Sequence, residues 1–193
     1  MAQQSPDSPR TALVLFAHPR REQSRVNLKL AEAAAALPRA VLHDLYETYP
    51  DFYIDVAAEQ ARLAAADIVV FLHPIQWYSM PALLKEWMDA VLLPGWAYGP
   101  HGHALAGKTC WMVATAGSPE AAYAAGGAHG RPLDDYLHAL RQTAQLCQMD
   151  WAPPHILYGA HQVDNDAVHA HVDSFVARLA AMMRSNKDDP HGT

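Results

Sequence analysis

Polar side chains that could bind an anion follow the first strand-like run of the sequence. Residues 12–17 are apolar, and the segment 17–27 carries His18, Ser24 and Asn27 as a helical pattern begins. Free N–H groups and the helix dipole make a helix N-terminus a phosphate site, to which we expect a hydroxyl, an amide and an imidazole to contribute. The alternative is that Ser24 only caps the helix and His18 only ends the strand.

A second candidate segment follows the apolar run 68–72, which is typical of a strand buried on both faces. The segment is too apolar for a solvated loop, and it places an amide beside aromatic side chains: Pro74, Ile75, Gln76, Trp77 and Tyr78. Loops at the carboxyl ends of parallel strands bind ligands, so we predict that a flat molecule lies here. The alternative is that Trp77 and Tyr78 merely cover the core.

The long loop 115–131 is a third candidate, because long loops in compact domains usually have a function. Thr115, Gly117 and Ser118 open it and could bring backbone N–H groups close to a planar ligand. Tyr123 and His129 are the polar groups of this loop that could reach a reacting centre. The alternative for His129 is an ordinary surface histidine.

Predicted strands and helices alternate around these three segments. Hydrophobic periodicity predicts strands at 12–17, 40–45, 67–72, 108–115 and 155–159, and helices at 24–37, 56–66, 80–92, 132–147 and 165–184. Five such repeats favour an α/β three-layer sandwich with a five-stranded parallel sheet in the flavodoxin-like order 2-1-3-4-5. We expect a single domain at 11–184 and flexible tails at 1–10 and 185–193.

Composition excludes several classes of function. The net charge of −6 argues against a nucleic-acid partner, and no apolar run approaches a membrane span. The lack of a signal peptide and of a disulfide framework predicts a cytoplasmic protein. Histidine pairs at 101/103 and 169/171 lack further ligands, so we predict no metal site. With no activated serine or cysteine either, a cofactor that carries its own chemistry is the better hypothesis.

Together the three segments resemble the flavodoxin-like family of flavin-dependent NAD(P)H:quinone oxidoreductases, over nearly all of 12–184. The resemblance rests on Ala-His-Pro at 17–19 with Ser24-x-x-Asn27, on Pro-Ile-Gln-Trp-Tyr at 74–78, and on Tyr-x-x-x-Gly-x-His-Gly at 123–130. More narrowly, residues 45–60 and 95–99 resemble the ancillary subunits of glutathione-gated potassium-efflux systems. One departure is that the Thr-Thr-Gly-Gly of many members is Thr-Ala-Gly-Ser at 115–118.

The resemblance implies a flavin site, with FMN expected and FAD as the alternative. The flavin ring would lie on the segment 74–78, and Tyr123 with His129 would face the substrate pocket. The resemblance also implies that the flavin phosphate is held by His18, Ser24, Asn27 and the amide of Val26. The polar edge of the ring would be closed by Thr115, Gly117 and Ser118.

The implied reaction is a ping-pong hydride transfer from NAD(P)H to the flavin and then to a quinone. The alternative is a regulatory subunit of a membrane potassium-efflux transporter, peripheral at the inner membrane and with secondary redox activity. We also expect a homodimer, to which the resemblance points. In addition, the sequence has more large apolar and aromatic residues than one monomer needs to cover its core, at Trp87, Met88 and the aromatic segments 45–55 and 95–99.

Overall fold

The computed structural model describes residues 9–184 of the 193-residue chain. Its five strands form one parallel sheet in the order β2-β1-β3-β4-β5, which confirms the predicted fold class. The strands are β1 Ala12–Phe16, β2 Ala40–Asp44, β3 Ile68–Pro74, β4 Thr109–Thr115 and β5 Asp150–Leu157.

Helices cover both faces of this sheet because its strands are apolar on both sides. One core cluster joins the sheet to the first and last helices of the chain, and a second joins the opposite face to helices that lie between these two in sequence. The helices are α1 Asn27–Ala35, α2 Leu45–Thr48, α3 Val56–Ala65, α4 Ala82–Val91, α5 Leu133–Tyr136, α6 His138–Leu146 and α7 Asn165–Arg184.

Several helix boundaries differ from the predictions. The helix predicted at 132–147 is interrupted at Leu137, whose ψ of −4° departs from helical geometry, and so becomes α5 and α6. The four-residue helix α2 was not predicted, because it is too short to show a hydrophobic period. It forms because the Asp44 carboxylate accepts the backbone N–H groups of Tyr46 and Glu47.

The last strand also begins earlier than predicted, at Asp150 instead of residue 155. Pro153 and Pro154 hid this strand, because proline cannot donate to a hydrogen-bond ladder. They are tolerated because β5 lies at the edge of the sheet, where the register with β4 shifts between Trp111 and Val113.

The start of the folded chain is fixed by Arg10, which the sequence placed in a tail. Its backbone N–H donates to Met183 in α7, and its guanidinium donates to the carbonyl of Asp67 and to Thr109 Oγ1 at 2.7 Å. The remainder of the predicted tails lies outside the described residues, except for Pro9. The assignment of 11–184 to one domain stays a prediction.

A buried carboxylate joins three elements and the residue that follows α2. Glu59 in α3 is fully buried, and it accepts hydrogen bonds from His43 in β2 at 2.9 Å, Tyr49 at 2.6 Å and Trp87 in α4 at 2.8 Å. Arg62 adds an ion pair at 2.7 Å. Burial alone would raise the pKa of Glu59, but the three donors outweigh it and hold the pKa below its usual value.

The same contacts revise one argument for a dimer. Trp87 is completely buried and Met88 is only 6% exposed, so both side chains belong to the core of the single chain. They do not need a second subunit to cover them. Tyr53, in the segment before α3, is 83% exposed, and an exposed large aromatic side chain is what we expect of an interface residue.

We expect Glu59→Ala to lower the free energy of unfolding by about 3–5 kcal/mol, because it leaves three buried donors without an acceptor. Guanidinium denaturation of the purified protein measures this. Glu32→Ala, at an exposed position in α1, is the matched control and should change stability by less than about 0.5 kcal/mol. Equal stability of the two variants would contradict the role assigned to Glu59.

Candidate functional site

An open cleft lies at the carboxyl ends of β1, β3 and β4, where the first, third and fourth loops meet. Water-sized molecules can occupy about 140 Å³ of it, and its volume is about 510 Å³ when the part open to solvent is included. No carboxylate of residues 9–184 lines it. The lining residues are His18, Gln23, Ser24, Arg25, Val26, Asn27, Pro74, Ile75, Thr115, Gly117, Ala160 and His161.

The first loop brings the N-terminus of α1 to this cleft. Ser24 is buried, and its hydroxyl oxygen accepts the N–H of Leu28 in the first turn of α1 at 3.0 Å. The N-cap residue of α1 is Val26, not Ser24 as the alternative from sequence required. His18 Nδ1 accepts the N–H of Arg20 at 3.2 Å, which leaves the ring hydrogen on Nε2. Burial lowers the pKa of His18 below its usual value, so its neutral form is favoured.

Asn27 connects the first loop to the fourth. It is 2% exposed, and its Nδ2 donates to Thr115 Oγ1 at 2.9 Å. Its carbonyl oxygen Oδ1 is buried and has no hydrogen-bond partner among the described residues. One of the two amide hydrogens is used internally, and the free oxygen is an acceptor, which suits a ligand hydroxyl better than the phosphate predicted from sequence.

The segment after β3 makes a tight turn with an unusual backbone. Gln76 and Ser79 exchange both backbone hydrogen bonds, at 2.9 and 3.0 Å, and the two residues between them have positive φ, +48° for Trp77 and +64° for Tyr78. This is the geometry of a type I′ turn, which normally takes asparagine and glycine. Positive φ in two aromatic residues is strained, and such strain concentrates at functional sites.

The five residues of the predicted flavin platform, 74–78, fall into two groups in the structure. Pro74 and Ile75 line the cleft, whereas Gln76, Trp77 and Tyr78 do not. The Trp77 side chain is 93% exposed, so it does not cover the core as the alternative required. A role for these three residues against a flat ligand stays a prediction.

The predicted catalytic pair lies beside the cleft, in a cluster of aromatic rings. The His129 and Tyr123 rings are 4.4 Å apart, and burial raises the pKa of Tyr123. Both ring nitrogens of His129 are engaged, Nδ1 with the hydroxyl of Tyr78 at 3.2 Å and Nε2 with Ser118 Oγ at 2.9 Å. Ser118 follows Gly117 of the cleft wall but does not itself line the cleft.

Two parts of the site were missed by sequence analysis. Tyr136 in α5 stacks on Tyr78 at 4.7 Å and donates its hydroxyl hydrogen to the carbonyl of His129 at 3.1 Å, so it fixes the cluster. No sequence signal distinguished it from other helical residues. The connection after β5, which brings Ala160 and His161 to the cleft, could have been found, because the carboxyl-end rule applies to this strand too.

Within residues 9–184, no three His, Cys, Asp or Glu side chains are placed to hold a metal ion. No helix in the same range is long and apolar enough to cross a membrane.

A profile of the flavodoxin-like fold family matches residues 10–181. The chain belongs to this family. It is 43% identical over 171 residues to the glutathione-regulated potassium-efflux system ancillary protein KefG of Yersinia enterocolitica, which covers 89% of this chain and 93% of that protein. The resemblance inferred from the three loops is confirmed.

Solved structures in the family have the same fold. The general stress protein 14 of Treponema denticola, solved in complex with FMN, has a TM-score of 0.85 and 36% identity, covering 89% of this chain and 99% of that chain. An NADPH-quinone reductase from P. pentosaceus has a TM-score of 0.79 and 26% identity, covering 87% of this chain and 96% of that chain.

We expect Trp77→Asn to raise the free energy of unfolding by about 0.5–1 kcal/mol, because asparagine tolerates the positive φ of this position. Trp77→Ala is the control, since it removes the same side chain and keeps the unfavourable backbone. Thermal denaturation of the three proteins compares them. If alanine stabilised the protein as much as asparagine, the exposed ring and not the backbone would be the source of the cost.

Proposed function

We propose that this chain is an FMN-dependent NAD(P)H:quinone oxidoreductase that works in the cytoplasm. The observation that carries the proposal is a cleft at the N-terminus of α1 that no carboxylate of the described residues lines. Gly117 of this cleft is followed by Ser118, which begins a chain of hydrogen bonds through His129 to Tyr78. The first part suits an anionic cofactor. The second can hold and move a proton, which the reduction of a quinone requires.

The residues of the cleft fit FMN. The phosphate would lie at the N-terminus of α1, where His18 Nε2 can donate a hydrogen bond and none of the described lining residues is a carboxylate. The unpartnered Oδ1 of Asn27 can accept from a hydroxyl of the ribityl chain. Pro74 and Ile75 provide an apolar surface for the ring, and Thr115 and Gly117 line the same cleft.

FMN, when bound, would supply the capacity to accept a hydride from NAD(P)H and to pass two electrons to a quinone. The protein must supply what the cofactor does not, which is a proton for the quinone oxygen. Because both nitrogens of His129 are hydrogen-bonded, His129 is placed to transfer a proton to the Tyr78 hydroxyl, not to donate directly to a substrate. This refines the role predicted for His129 from the sequence.

A second candidate function is an ancillary subunit of a potassium-efflux transporter. It is supported by the 43% identity to KefG of Yersinia enterocolitica. In this function the chain would be peripheral at the inner membrane, bound to the transporter through an exposed surface, with its redox activity secondary. A homodimer remains part of both proposals, and the exposure of Tyr53 is the structural feature that favours it.

We expect the purified chain to bind one FMN per subunit, and FAD more weakly. Titration at micromolar protein, followed by quenching of flavin fluorescence, measures both affinities. A bound flavin should also be released on denaturation, where its mass identifies it. If neither flavin binds, the proposed function is wrong although the fold stands.

We expect His129→Ala to keep FMN but to reduce quinone at a rate lower by about 10²-fold or more, the usual cost of losing an acid–base group. Ferricyanide, which accepts electrons without protons, should be reduced at nearly the wild-type rate by the same variant. Asn27→Ala should do the opposite and lose FMN, because it breaks the contact to Thr115 and removes the free acceptor.

Stopped-flow reduction by NAD(P)H and reoxidation by a soluble quinone separate the two half-reactions. If His129→Ala matched the wild type in both, His129 would be a bystander. If the wild type retained FMN but reduced no quinone, the ancillary-subunit function would replace the enzyme as the better proposal.

A further inference from the structure

The connection after β5, residues 158–164, forms a wall of the cleft that no sequence motif indicated. Its residues Ala160 and His161 line the same cleft as His18, Asn27 and Thr115. The wall faces the first loop, so the cleft is bounded by four connections and not by three. What this fourth wall adds to ligand binding depends on the chemistry of His161.

Backbone hydrogen bonds fix the position of this wall. Gly159 donates its N–H to the carbonyl of Ser118 at 2.8 Å, and Ala160 donates to the carbonyl of Ala116 at 3.0 Å. Gly159 has a φ of +62°, which allows the chain to turn directly after β5. These two bonds hold the backbone next to His161 against the fourth loop.

The His161 ring lies over Gly117. A Cβ atom at position 117 would lie 3.3 Å from both Cδ2 and Nε2 of His161, closer than most such contacts in proteins. Glycine at 117 therefore gives the imidazole the space to reach across the cleft wall. This is a packing reason for Gly117 that is separate from its expected role at the polar edge of a flavin.

The charge of the cleft completes the argument. Arg25 and His161 are lining groups that can be cationic, and none of the described residues that line the cleft is a carboxylate. The Asp44 carboxylate, outside the lining, interacts electrostatically with His18. Arg25 donates to the neutral amide of Asn165 at 2.9 Å, so that contact leaves its positive charge intact. The unpartnered Oδ1 of buried Asn27 shows independently that the cleft is built to hold a polar ligand.

We propose that His161 binds the terminal phosphate of the flavin and gives this cleft its preference for a phosphate monoester dianion. This inference rests on the proposed function, because it concerns how the same cleft selects FMN. The phosphate of FMN is a monoester that carries about two negative charges near neutral pH. The corresponding phosphate of FAD is joined to a second phosphate by an anhydride bond and carries only one. Riboflavin has none. A donor at position 161 should therefore favour FMN most.

Calorimetric titration of the flavin-free protein with FMN, FAD and riboflavin tests the proposal. We expect His161→Ala to weaken FMN binding about tenfold, as for the loss of one charge-assisted hydrogen bond at an exposed site, and to leave riboflavin binding within about twofold. The ratio of FMN affinity to FAD affinity should fall. His161→Gln, which keeps an N–H donor, should recover part of the loss.

His169→Ala is the matched control, because His169 is an exposed histidine of α7 outside the cleft lining. It should bind all three flavins like the wild type. Equal weakening of FMN and riboflavin by His161→Ala, or no weakening of either, would overturn the role of His161. Failure of the wild type to bind any flavin would instead refute the proposed function.

Discussion

The site depends on hydrogen bonds that extend the sheet one residue beyond the ends of its strands. Ala17 donates to the carbonyl of Leu72 at 2.9 Å, Ile75 to Thr115 at 2.8 Å, and Ala116 to Leu157 at 2.9 Å. In each bond the donor is the first residue after a strand, and the acceptor is a carbonyl of the adjacent strand. Four loops therefore leave the sheet from fixed positions, and the side chains that follow inherit this alignment.

On that frame, the protein separates a polar region from an aromatic one. The N-terminus of α1 lies at the polar cleft, while the rings of Tyr78, Tyr123, His129 and Tyr136 collect beside it. The type I′ turn at Trp77 and Tyr78 keeps the second region in place at a cost in backbone energy. A site held by strain in this way is organised before its ligand arrives, so less ordering remains to be done on binding.

Much of this arrangement could be predicted from sequence, because apolar runs mark buried strands and loops at their carboxyl ends bind ligands. The strand order followed from alternation and handedness, and His18, Ser24, Val26, Asn27 and Thr115 were found as cleft residues. What the sequence could not give were contacts between distant residues. The bond that commits the Asn27 amide, the stacking of Tyr136 and the reach of His161 over Gly117 depend on tertiary geometry and carry no local pattern.

The two prolines of β5 have a consequence for how this protein can associate. Pro153 and Pro154 lack N–H donors, and the carbonyl of Pro153 already accepts from the Trp111 indole and from Arg178. An extended segment of another chain thus finds no regular row of donors and acceptors along that edge of the sheet. The opposite edge, β2, has no proline and exposes Val41. Any assembly formed by adding a strand to this sheet is therefore directed to β2.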